Sequence, residues 1–149
     1  MSIEAWADAA RQDKYRQLPE HQHAISTLQS LLEGNTEPDR AAGTISSIYE
    51  PLLKRGPKPS PVATLWGILC DAVRALGGNK ELMDSLIDLL NSISKLPDVM
   101  DEHGNAITPE WRSAGVYWTA LPELAIMFRE YGIGKSRHLR RAQVVLLDR

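Results

Sequence analysis

Residues 60–97 read SPVATLWGILCDAVRALGGNKELMDSLIDLLNSISKLP, and the spacing of their apolar positions decides the fold. Ser60 as N-cap and Pro61 in the first turn open a helix, since a proline there gives up only an N–H that would have no intrahelical partner. Val62, Leu65, Trp66, Leu69, Cys70, Val73 and Leu76 then recur at intervals of three and four, which places them on one helical side. Gly77-Gly78 ends this helix and Asn79 caps the next, which carries Leu82, Met83, Leu86, Leu89, Leu90, Ile93 and Leu96 up to Pro97. Two amphipathic helices joined by so short a turn form an antiparallel αα-hairpin.

Upstream, the same periodicity continues. Ser2 caps a first helix whose inner face is read as Ala5, Trp6, Ala9 and Ala10. Leu18-Pro19 interrupts it or begins a second, with a stripe of Ala24, Ile25, Leu28, Leu31 and Leu32 closed by Gly34-Asn35. Thr36 caps a third over Pro38, with Ala41, Ala42, Ile45, Ile48, Tyr49 and Leu52 on one side. Pro51 is expected to kink or end that helix near Glu50, and Arg55-Gly56-Pro57-Lys58-Pro59 forms a stiff corner.

Downstream, His103-Gly104-Asn105 reads as a turn, Thr108-Pro109-Glu110 restarts a helical turn, and a last apolar helix runs from Leu121 to Tyr131 before Gly132. No segment alternates with period two, so the expected class is all-α. The expected architecture is a single compact domain, residues 1–149, of six or seven short helices around the central hairpin. Residues 135–149 form a basic C-terminal helix or tail.

Composition narrows the function. The chain has 149 residues, 43% apolar and 24% charged, with a formal net charge of −2. That is the balance of an ordinary globular domain able to fold without staples. The lone Cys70 excludes an intrachain disulfide framework and a multi-cysteine zinc site. The net charge speaks against a globally basic nucleic-acid binder, so no stable nucleic-acid binding is expected. No apolar run approaches the ~20 residues of a membrane span. The opening Met-Ser-Ile-Glu-Ala-Trp lacks a basic and an apolar signal region, so the expected location is the cytoplasm, with the nucleus as alternative.

One order of motifs carries a resemblance. Ile45, Ile48 and Tyr49 precede Leu65-Trp66. Next come the leucine run from Leu86 to Pro97 and then Gly115, Tyr117, Trp118, Leu121, Pro122 and Leu124 with Arg129-Glu130 behind them. Over residues 36–131 the chain resembles a fungal all-helical family labelled only as a domain of unknown function. The resemblance implies an all-α fold and a fungal source and brings no catalytic residues. Similar proteins continue into a second helical half where this sequence stops, so part of the leucine-rich surface is expected to lie open. A symmetric dimer would cover such a patch, Leu82 to Leu96 above all.

The residues that bear chemistry are few. His21 and His23 stand about 200° apart around a helix and cannot share an ion, so no metal or cofactor is expected. Cys70 lies on an apolar face, where a thiol is inert. Asp84 and Asp88 share a helix face without a third ligand. No residue qualifies as catalytic. Trp111, Tyr117 and Trp118 cluster at a proline-bounded corner, either as core or as the wall of a flat-ligand pocket. Residues 129–149 hold six Lys and Arg against two Asp and Glu, a net of +4, whereas residues 1–128 carry −6. Arg137, Arg140 and Arg141 share one helical face and suit an acidic partner. The leading expectation is a non-catalytic, self-associating interaction or scaffold module. A small-molecule binder or enzyme at Trp111–Trp118 is the alternative. A binder of acidic partners, nucleic acid or membrane surfaces through the C-terminal arginines comes third.

Overall fold

The computed structural model describes residues 1–54, 61–97, 100 and 102–105. These residues form five α-helices and one 3₁₀ turn, and they are all-helical. The helices are α1 (Ile3–Gln12), α2 (Pro19–Leu32), α3 (Pro38–Lys54), α4 (Pro61–Leu76) and α5 (Lys80–Ser94), with the 3₁₀ turn at Lys14–Arg16. Trp111, Tyr117, Trp118, Arg137, Arg140 and Arg141 lie outside the described residues, as do the Arg55–Pro59 corner and the expected N-cap Ser60.

Helix ends follow local chemistry. Ser2 accepts the Ala5 N–H at 3.0 Å and Asn79 accepts the Leu82 N–H at 3.2 Å, each satisfying a donor that the first turn leaves free. Pro19 sits at the start of α2, where the side chain of Leu18 cannot cap. At the other end of α2 the Asn35 N–H donates to Ser30 O and the Gly34 N–H to Leu31 O. This pairing needs the left-handed backbone that Gly34 adopts at φ 81°. Two glutamines stitch the corner between α1 and α2: Gln17 donates to the carbonyls of Arg11 and Asp13, and Gln22 to those of Arg11 and Arg16.

Two expectations shift. Helix α3 continues through Pro51 to Lys54. Proline forfeits one bond, to the Ser47 carbonyl, and both Pro51 and Ser47 are exposed, so water can serve the orphaned oxygen within the last turn. In α1 the buried residues are Trp6, Ala7 and Ala10, with Ile3 packed beside them, while Ala5 and Ala9 face solvent. The 3, 6, 7, 10 spacing is the helical phase. Alanines on several sides do not define it, and the bulk of Ile3 and Trp6 does.

The core is continuous through all five helices. Ile25, Leu28, Ile45, Tyr49, Leu65, Ile68, Leu69, Met83 and Leu86 are its largest fully buried side chains. Helix α5 packs chiefly on α3, and α1 lies against α2 and α4. Ser92, near the end of α5, donates to Asp39 at the start of α3 at 2.6 Å, so those two helices run antiparallel. The turn at Gly77–Asn79 joins α4 to α5 as the sequence requires, but each helix finds its main packing partner elsewhere. The leucine stripe is not an open patch. Met83, Leu86, Ile87, Leu89, Leu90 and Ile93 are buried, and Leu82 and Leu96 are packed against them. Any surface for self-association must be sought on another face.

Candidate functional site

That face is the outer side of the α2–α3 pair. Along α3, the row Arg40, Gly43, Thr44 and Ser47 follows the three- and four-residue spacing of a single helical side, opposite the row that enters the core. Three of the four side chains are small or missing. The Thr44 hydroxyl donates to Arg40 O and the Ser47 hydroxyl to Gly43 O, each at 3.0 Å, so both fold back on their own helix. A Cβ added at Gly43 would meet nothing within 4 Å. The result is an open groove of about 780 Å³, with Pro19, Glu20 and His23 of α2 as one wall and the α3 row with Ile48 as the other.

Its electrostatics are unbalanced locally and balanced overall. Glu20 stands on one wall and Arg40 on the other. Neither is among the three ion pairs of the described residues, which join Arg11 to Asp8 and Asp71 to both Arg16 and Arg74. Leu18, directly before Pro19 in the chain, is 53% exposed, and Tyr15 in the preceding 3₁₀ turn is 73% exposed. The Lys14 ammonium lies 4.9 Å over the Tyr15 ring.

Beneath the groove, one buried polar pair ties its walls together. His21 of α2 and Tyr49 of α3 are both buried, and His21 Nδ1 and the Tyr49 hydroxyl are 2.9 Å apart. Burial lowers the His21 pKa, an effect opposed by Glu20 and assisted by Arg16, so the imidazole is neutral at physiological pH. Burial, and then the Glu20 charge, raises the Tyr49 pKa and keeps the phenol protonated. A neutral, hydrogen-bonded pair can be buried at small cost, whereas either group ionised there could not. Its fixed length sets the separation of α2 and α3 under the groove floor.

The other singled-out residues fall in ordinary places. His21 points inward and His23 outward, so the two histidines are on different sides of α2. Among the described residues no group of three or more His, Cys, Asp and Glu side chains could hold a metal ion. Cys70 and Trp66 are buried in the core, and Asp84 and Asp88 are exposed. No described helix is long and apolar enough to cross a membrane. In the sequence the groove is marked only by a row of small side chains at helical spacing, a weaker signal than a stripe of large ones. Comparison with protein-family models, curated proteins and solved structures finds no match to the chain.

Proposed function

We propose that this protein is a non-catalytic helical interaction module that associates with a second copy of itself through the α2–α3 groove. The observation that carries this reading is the pair of uncompensated opposite charges, Glu20 and Arg40, on facing walls of one open groove. A two-fold axis across such a groove sets Glu20 of each copy opposite Arg40 of the other, so a single surface complements itself. Leu18, the chain neighbour of Pro19 in the groove wall, adds exposed apolar area that gains by being covered. Gly43, Thr44 and Ser47 keep the floor low enough for close backbone approach.

Sedimentation equilibrium over a range of protein and salt concentrations tests the reading. The expected result is a monomer–dimer equilibrium that weakens as salt rises, because exposed ion pairs are screened. A monomer at all concentrations contradicts it, and so does association that tightens with salt.

A further inference from the structure

We infer that His23 makes the association of two copies sensitive to pH, holding the pair together near neutrality and loosening it in mild acid. The inference rests on the dimer proposed above and concerns the same groove. His23 stands in the α2 wall three residues after Glu20, so the two side chains share one helical side, and both line the groove. His23 is exposed and takes part in none of the ion pairs of the described residues. His21, by contrast, is buried beneath the floor and held to Tyr49, so the two histidines answer to different surroundings.

Charge counting gives the direction. The charged groups that line the groove beside His23 are Glu20 of its own helix and Arg40 of α3, and the other described lining residues are uncharged. With a neutral imidazole the lining sums to zero, one carboxylate against one guanidinium. Of these three side-chain types, only an imidazole ordinarily changes its charge between pH 5 and 8. Protonation therefore leaves each copy with a net lining charge of +1, two cations against one anion, and a two-fold axis sets two positive faces against each other. The protonated ring also competes locally. It stands within one turn of Glu20, which receives Arg40 of the other copy, and it attracts that carboxylate while repelling the incoming guanidinium. Symmetry repeats both effects at the second site of the same interface.

Sedimentation equilibrium of the full chain at about pH 8 and pH 6, at one ionic strength, tests the inference in the parent, His23→Gln and His23→Lys. Circular dichroism at both pH values follows the folded state, on which the buried His21 acts. The parent dimer should dissociate about threefold more readily at pH 6, the effect of two exposed like-charge contacts, and added salt should shrink that ratio. His23→Gln should bring the ratio between the two pH values close to one. His23→Lys, charged throughout, should form a weaker dimer than the parent at pH 8 and show no further loss at pH 6. A parent dimer equally tight at both pH values overturns the inference, and so does an unchanged ratio in His23→Gln; either result leaves the dimer itself standing. A monomer at both pH values removes the dimer and the inference together, so the two failures are told apart.

Discussion

Removing one oxygen atom from the core should reveal how firmly α2 and α3 are tied. In Tyr49→Phe the aromatic ring stays, so the burial of apolar surface hardly changes. What is lost is the hydroxyl 2.9 Å from His21 Nδ1, in a place where Tyr49 is fully buried and His21 is 2% exposed. The imidazole nitrogen is then left in the interior without a partner, a loss of about 1–3 kcal/mol. With a urea slope of roughly 1–3 kcal/mol per molar for a domain of this size, the unfolding midpoint should fall by about 1 M with no change of slope. The same site gives a pH signature. The folded His21 pKa lies below its ordinary value of 6.5, so on acidification the unfolded chain takes up this proton first. Stability should therefore decline as pH falls below about 6.5, level off below the folded pKa, and lose this part of its slope in His21→Leu. A Tyr49→Phe protein within about 0.5 kcal/mol of the parent near neutral pH would refute the reasoning, since that is the scatter of an ordinary surface change.

Other expectations are simpler. Leu86→Ala, at a position 1% exposed in the middle of the α5 core face, should cost about 2–5 kcal/mol in the same urea assay. Gly67→Ala should stabilise the protein by roughly 0.5–1 kcal/mol, because it removes a mid-helix glycine. Its new methyl would meet Arg16 Nη2 at an unstrained 3.6 Å. A Cβ at Gly34 would meet nothing within 4 Å, but the residue sits at φ 81°, so Gly34→Ala should destabilise by about 1 kcal/mol.

The helices were legible where large apolar residues repeat. In α5 the positions from Leu82 to Leu96 fix the phase beyond ambiguity, and Asn79 and Pro97 bracket the segment. In α1 the abundance of alanine set Ala5 and Ala9 on the expected inner face, and the packing of Ile3 and Trp6 gives a different phase. The Pro51 rule misled because its force depends on whether the orphaned Ser47 carbonyl can reach water, a tertiary fact. Which face of a helix meets which neighbour was not readable at all. The leucine stripe of α5 has the same pattern whether it is covered by α3 or left open for a partner. The groove was harder still, since it is made by what α3 lacks at Gly43, Thr44 and Ser47, and by the chance that Glu20 and Arg40 come to face each other from separate helices.

Reciprocal charge exchange across the groove tests the central claim most directly. Glu20→Arg and Arg40→Glu reverse one wall each, the first at a half-buried position and the second at an exposed one. The measurement is the dimer dissociation constant by sedimentation for the parent, both single variants and the double variant. Each single variant should set like charges opposite one another and weaken the dimer, and the double variant should restore it toward the parent value. A double variant no tighter than the singles, with all four proteins folded, would contradict the account.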